Sequence, residues 1–286
     1  MSIISHIGKP GSFSHMAARA KYGSSHTYLP CRTFADVYKS VTEGHSEIGV
    51  IPLENSLAGS IYENYDLFGK YPVQIIAEQY LKVEHYLLAK KSEKSAEEKI
   101  KDLKIVYSHP KALEQCQSFF DDHPWITPKA ADDTASACAM VASSNDPNIA
   151  AIGGDESAHL YRLQTLVEHI EDDKYNFTRF VYISKSNIKN QNANKCSLEI
   201  ELAHEPGSLV TVLQVLGKHK LNMTKLESRP IMGKPFEYMF YLDFEYQDNA
   251  MYEKALDEMR RVSHKIQVLG IYQAGSITDD NSSVIQ

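Results

Sequence analysis

Cysteine is scarce. Cys31, Cys116, Cys138 and Cys196 are the whole complement of a 286-residue chain. Their spacing matches no zinc-ligand pattern and no C-x-x-C pair, which argues against a metal finger, a disulfide framework or a redox dithiol; reduced, packed thiols are expected. Long apolar runs are missing too. No stretch is long and apolar enough to span a bilayer, and the N-terminus lacks a basic segment followed by an apolar one. A cytosolic protein without membrane contact is the expectation. Positive charge is in deficit: 30 Lys and Arg against 37 Asp and Glu leave a formal net charge of −7. This argues against a nucleic-acid partner. It also means that an anionic ligand has to be drawn by a local positive site, because the overall field repels it. What remains, at 43% hydrophobic and 23% charged residues, is the composition of an ordinary globular protein. The length suits two domains.

The first part of the chain repeats one order: strand, turn, helix. SIISHI (2–7) reads as a strand, and GKPGSFSHMAARAKYG as a turn feeding a helix. SEIGVI (46–51) is a strand, followed by PLENSLAGSIYENYDLF as a turn and helix. LKVEHYLLAK (81–90) and IKDLKIVYS (100–108) read as strands. HPKALEQCQSFF reads as a helix with Pro110 in its first turn. NIAAIGG (148–154) is a strand and DESAHLYRL a helix. This pattern implies an α/β sheet with helices packed on it. The polar segment SKSNIKNQNANK (184–195) reads as a linker. Beyond it the spacing gives strand, helix, strand, strand, helix, strand in about 80 residues, the split βαβ plan. The last residues, 276–286, read as disordered.

Four strand-to-helix turns look alike: Gly8 to Ser14, Pro52 to Ser56, Ser108 to Ala112 and Gly153 to Ser157. Ligands of open α/β sheets sit beyond the carboxyl ends of the strands. Helix starts there offer unpaired N–H groups, so several of them converging would hold an anion. Ser12, Ser14, Asn55, Ser56 and Ser108 add hydrogen-bonding groups. The stretch KYNFTRF (174–180) raises a further question. In a strand, Phe177 and Arg179 share one face and Thr178 and Phe180 the other. A half-buried arginine needs an internal acid or an external anion. His109 at its turn is either a ligand contact or a cap. Lys111 is read as a solvated lysine, and Glu171, Asp172 and Asp173 as a solvated turn.

Taken in order, these motifs resemble the prephenate dehydratase family over about residues 6–275. Gly8-Lys-Pro-Gly-Ser-Phe-Ser14 resembles its glycine-rich opening. Ile51-Pro-Leu-Glu-Asn-Ser56 with Gly59, Ser108-His-Pro-x-Ala112 with Gln115-Cys116, and Asn176-x-Thr-Arg-Phe180 follow as in the family. Gly207-Ser-Leu209 and Glu227-Ser-Arg-Pro230 resemble an ACT domain and its regulatory motif. Departures are Ser12 for threonine, Lys111 for glutamine, Arg162 for glycine and a loose match over residues 153–158.

The resemblance implies a two-lobed, periplasmic-binding-protein-like α/β catalytic domain over residues 1–183. One lobe would be 1–77 with 158–183, the other 78–157. A ferredoxin-like βαββαβ ACT domain would follow at 196–275. It implies decarboxylating dehydration of prephenate to phenylpyruvate without metal or organic cofactor. Thr178, Arg179 and Asn55 would be catalytic, Arg179 gripping the anion and Thr178 facing the reacting carbon. Gly11, Ser12, Phe13, Ser14, Glu54, Ser56, Ser108, His109, Asn176, Phe177 and Phe180 would surround the substrate. L-Phenylalanine would act as effector at Glu205, Pro206, Gly207, Ser208 and Leu209, with Asn222 and Met223 of a partner subunit in a homodimer or homotetramer. Glu227, Ser228, Arg229 and Pro230 would couple that site to catalysis. A fused chorismate mutase segment is not expected before His6. Arogenate dehydratase, or a non-catalytic amino-acid sensor, is the alternative.

Overall fold

The computed structural model describes residues 1–186, 190–231 and 233–277. The chain forms two units. The first comprises Met1–Asn64 and Tyr80–Phe180, the second Tyr65–Gln79 and Val181–Gln286.

The first unit holds strands in two groups. In one, β1 (Ile3–Ile7) lies between β2 (Thr27–Cys31) and β3 (Ile48–Asn55), all parallel. The first half of β11 (Phe177–Ser184) runs on the far side of β3. The crossovers are α1 (Phe13–Tyr22) and α2 (Phe34–Thr42). Each starts at a built cap: Ser12 Oγ accepts the His15 N–H at 3.3 Å, and Thr33 forms a capping box with Asp36. A short β4 (Gly59–Ser60) pairs back on β3, and α3 (Tyr62–Phe68) follows. The chain returns along β5 (Gln74–Lys82).

The other group contains β6 (Tyr86–Lys90), β7 (Ile105–Ser108), β8 (Thr127–Ala130), β9 (Ile149–Gly153) and β10 (Leu163–Val167), ordered β10-β6-β9-β7-β8. Its helices are α4 (Ala96–Asp102), α5 (Pro110–Glu114), α6 (Gln117–Asp122), α7 (Thr134–Ser143) and α8 (Asp155–Tyr161). Central β9 is buried along its whole length, which is why it reads as a continuous apolar run. Two apolar cores pack against this sheet, one around Phe119, Phe120 and Ile152, the other around Leu88, Cys138 and Val141.

The second unit contains β12 (Lys195–Glu201), α9 (Ser208–Lys218), β13 (Asn222–Pro230), β14 (Tyr238–Glu245), α10 (Asn249–Arg261) and β15 (Lys265–Tyr272). The order β13-β14-β12-β15 is antiparallel throughout, the split βαβ plan expected. One face of α9 and α10 packs on the sheet through Val212, Leu216, Leu256 and Met259. Within β15, Gly270 meets Ile75 of β5 in a parallel bridge. A Cβ at Gly270 would come within 2.2 Å of the Ile75 carbonyl oxygen, so only glycine fits.

Several expectations need correcting. Pro52 lies inside β3, where a turn was expected. β3 pairs with β1 only through Val50, so the missing proline donor falls beyond that ladder. The expected strand 81–90 is two strands, β5 and β6, broken at residues 83–85. Residues 96–102, partly read as strand, are helix α4 with a capping box at Ser95 and Glu98. The helix expected from Pro110 is interrupted at Gln115 and Cys116. β10 pairs with β6, so the second sheet extends past residue 158. Residues 65–77, expected in the first lobe, and 78–79, expected in the second, cluster with the C-terminal unit. Linker residues 187–189 and tail residues 278–286 lie outside the described residues. At the linker's far end, Lys195 is buried, with its Nζ 2.9 Å from Glu78 Oε1.

Candidate active site

A cavity of about 480 Å³ opens within the first unit, a size that suits a small molecule. Three of the four similar turns reach it. The glycine-rich turn brings Gly8, Ser12, Phe13 and Ser14; the second brings Pro52 and Asn55; the third brings His109, Lys111 and Ala112. From β11 come Thr178 and Phe180. The strand alternation is therefore as read, and it sets Arg179 on the face opposite Thr178. Arg179 is 3% exposed, is not among the cavity-lining residues, and shares its face with Phe177.

The other expected contacts that do not line the cavity have local reasons. Ser108 is fully buried and donates to the Ile152 carbonyl at 2.8 Å. Ser56 Oγ donates to the Tyr175 carbonyl and accepts the Phe177 N–H, both at 2.9 Å, pinning the loop to β11. Gly11, with φ +90°, has its carbonyl held by Ser157 Oγ of the fourth turn at 3.0 Å. Glu54 pairs with Ser60 in the β3–β4 ladder. Asn176 stands one layer behind the wall.

That layer fixes the polarity of the site. The N–H groups of Leu57 and Ala58 donate to Asn55 Oδ1 at 3.1 and 2.9 Å. Asn55 Nδ2 therefore faces the other way, donating to Asn176 Oδ1 at 2.7 Å and Thr178 Oγ1 at 3.0 Å, with the Phe177 carbonyl at 3.2 Å. Thr178 Oγ1 is thus an acceptor toward Asn55, and its own hydrogen is left for whatever occupies the cavity. Ser14 and Thr134 also line the cavity.

Sequence reasoning missed much of the wall: Ile7, Phe34, Ile61, Val83, His85, Gln115 and Asp133. Asp133 caps α7, its oxygens accepting the Ser136 N–H and hydroxyl at 2.7 Å each. His109 is the cap weighed for it, and it also stands at the cavity wall. Its Nδ1 accepts the Lys111 N–H at 3.2 Å. Burial holds its pKa below the ordinary histidine value, with Asp133 opposing. Lys111 pairs with Glu114 at 2.7 Å and stays largely exposed, yet lines the cavity and adds positive charge there. The acidic run is not a solvated turn throughout. The Glu171 side chain is only 4% exposed and accepts the His85 N–H at 2.8 Å, and Asp172 accepts the N–H groups of Gln117 and Ser118.

Among the described residues, Glu84, His169 and Glu171 bring ligand atoms within 4.8 Å of one another, as a metal site would. Lys82 Nζ sits 2.9 Å from Glu84 Oε1 and offsets that charge. No helix of the described residues is long and apolar enough to cross a membrane.

In the second unit, a depression of about 200 Å³ is lined by Glu205, Gly207, Ser208 and Leu209 together with Tyr238 and Phe240. Gly207 adopts φ +88° at the start of α9, a conformation that favours glycine. Pro206 is not among its lining residues, and Asn222 lines a separate depression. Arg229 reaches Asp66 with Nη2 3.0 Å from Oδ2.

A cavity between α/β sheets, walled by helix-start turns and presenting a threonine hydroxyl locked as a donor, defines a small-molecule-binding α/β protein with an appended ferredoxin-like module. The family model for prephenate dehydratase matches residues 4–188, and the chain belongs to that family. It is 35% identical over 280 residues to the bifunctional chorismate mutase/prephenate dehydratase of Escherichia coli K12, covering 96% of this chain and 71% of that protein. Among solved structures, a prephenate dehydratase from Arthrobacter aurescens in complex with L-Phe aligns with a TM-score of 0.84 at 25% identity, covering 95% of this chain and 90% of that one. A protein described as GqqA, a novel type of quorum quenching acylase, aligns at 0.85 with 29% identity, covering 95% and 98%.

Proposed function

We propose that this chain is a prephenate dehydratase regulated by L-phenylalanine. The carrying observation is the hydroxyl of Thr178, fixed as a donor by Asn55 at the cavity wall. The reaction breaks two bonds of the prephenate dianion. The ring C–COO⁻ bond gives CO2, its electron pair enters the ring, and the ring C–OH bond releases hydroxide. Phenylpyruvate monoanion, CO2 and hydroxide balance atoms and charge. Aromatisation drives the step, so the protein has to hold the dianion and ease the departing oxygen. Threonine is too weak an acid to give up its proton near neutral pH. Its hydrogen bond strengthens as charge builds on that oxygen. Phe13 and Phe180 make one side of the cavity apolar, favouring loss of the carboxylate charge. Lys111 supplies the positive charge that Arg179 does not bring to the wall.

The alternatives fit less well. The alternative substrate, arogenate, carries an amino group where prephenate has a keto group. The family model that matches this chain is that of prephenate dehydratase, which favours the keto substrate. Acyl transfer by a threonine requires an adjacent base, whereas the partner of Thr178 is a donor. L-Phenylalanine is assigned to the α9 depression of an ACT domain, in a cytoplasmic homodimer or homotetramer. Purified protein given prephenate or arogenate, with phenylpyruvate and phenylalanine followed separately, tests the reading. Phenylpyruvate formation from prephenate, inhibited by phenylalanine, is expected. Turnover of neither substrate overturns it.

A further inference from the structure

Asn55 has two amide hydrogens and three acceptors within reach. Thr178 receives one of them reliably only if the other is held on Asn176 Oδ1. That in turn requires Asn176 to keep its amide orientation, and the structure shows what keeps it. Asn176 Nδ2 donates to Gln115 Oε1 at 3.1 Å, and the same oxygen lies 3.1 Å from His85 Nε2. The polarity of this chain is not free. It starts at the N–H groups of Leu57 and Ala58, which can only donate, and each amide passes the direction on. Gln115 therefore presents its oxygen at both contacts, and His85 has to carry a hydrogen on Nε2. Nδ1 of His85 is buried without a hydrogen-bond partner among the described residues. A hydrogen there would be an unsatisfied buried donor. Phe13, in edge contact at 5.8 Å between ring centroids, offers that nitrogen nothing.

We infer that His85 is a positioning residue for Thr178, acting through Gln115, Asn176 and Asn55 as a neutral imidazole with its hydrogen on Nε2. The opposite tautomer would invite the Gln115 amide to turn, set two amide nitrogens against each other at Asn176, and release the hydrogen that Asn55 gives to Thr178. His85 sits 30 residues from Gln115 and 93 from Thr178 in sequence, so no motif announces it. This role rests on the dehydratase reading for its kinetic consequence, though not for the tautomer itself.

Two measurements test it. In the full-length protein with ¹⁵N-labelled histidine, the His85 resonances, assigned by their loss in His85→Gln, should report hydrogen on Nε2 and a bare Nδ1 from pH 8 to pH 6. Hydrogen on Nδ1 in that range overturns the inference whether or not the protein turns over prephenate. The second measurement compares two substitutions. His85→Phe keeps a ring and loses the donor; His85→Gln loses the ring and keeps an amide N–H to offer Gln115. With prephenate as substrate, His85→Phe should lose about tenfold or more in kcat through misplacement of the hydroxyl, with KM changed far less. His85→Gln should recover most of that loss. A packing role gives the reverse order, and Phe equal to or better than Gln sinks the proposal. A wild-type protein inactive on prephenate would instead refute the dehydratase reading and leave the tautomer result standing.

Discussion

Thr178 owes its chemistry to a neighbour that cannot reverse. Asn55 is clamped by two backbone donors, so a hydroxyl at position 178 can only accept from it and donate into the cavity. Thr178→Val keeps the shape and removes the hydrogen. Turnover should fall by at least 10²-fold, the scale for losing one donor to a developing oxyanion, while the far-ultraviolet spectrum stays unchanged. Near-wild-type kcat in that variant would remove the hydroxyl from the mechanism. A second residue-scale consequence concerns His6 and His15, whose ring centroids are 5.0 Å apart. Burial lowers each pKa from 6.5 to about 4. Between those values the unfolded chain binds protons that the folded one refuses, so stability rises with pH there. The contribution is complete above about pH 6.5 and is lost as the pH falls toward 4. The urea midpoint should drop from pH 7.5 to pH 5. His15→Asn keeps an acceptor for the Gly11 N–H, bonded at 3.1 Å in the native protein, and should show a smaller drop. An equal drop in both proteins would show that carboxylates carry the effect.

Single elements show where the sequence was legible and where it was not. Strands β1, β9 and β12, and helices α9 and α10, follow their periodicity because their neighbours ask nothing special of them. The misread breaks fall at the cavity. The strand interruption at Val83 to His85 survives because the Val83 N–H finds the Asn176 carbonyl at 2.7 Å and the His85 N–H finds Glu171. The helix interruption at Gln115 survives because its carbonyl accepts the Asp172 N–H at 2.7 Å. Each break is satisfied by groups about 55 to 95 residues further along, which local pattern cannot reveal, and each aims a side chain at the cavity. Alternation put Thr178 and Phe180 on one face and Phe177 and Arg179 on the other, but which face meets the cavity was not legible from it. Arg162 is the one departure from the family that the fold makes measurable. It closes α8 at φ +56°, the left-handed conformation that favours glycine. Arg162→Gly should stabilise the protein by about 0.5–1 kcal/mol, the relief of strain less the greater freedom of the unfolded chain. The urea midpoint reads this directly; a decrease would mean that the arginine side chain makes a contact worth more than the strain.

Across the whole molecule the chain passes between its two units three times, at residues 64–65, 79–80 and 180–181. The first passage runs through α3. On one side Asn64 donates from Nδ2 to the carbonyl of Pro52, a cavity residue, at 2.7 Å, and its own carbonyl accepts the Tyr38 hydroxyl at 2.8 Å. On the other side the Tyr65 carbonyl accepts the Tyr241 hydroxyl at 3.0 Å, and Asp66 holds Arg229 of β13. A ligand on the second unit alters catalysis only through a differential affinity for two states. If L-phenylalanine binds there, a concentration 100 times its Kd should stabilise the folded protein by about 2.7 kcal/mol. Asp66 and Arg229 are 46% and 27% exposed at their side chains. An ion pair this open contributes at most about 1 kcal/mol, so its removal should weaken coupling without abolishing it. Asp66→Asn is therefore expected to keep kcat without effector within twofold of wild type and to keep the thermal shift with phenylalanine. Its maximal inhibition should be relieved up to about fivefold. Full inhibition with an unchanged dose dependence would take α3 out of the coupling and leave the passages at residues 79–80 and 180–181 to carry it.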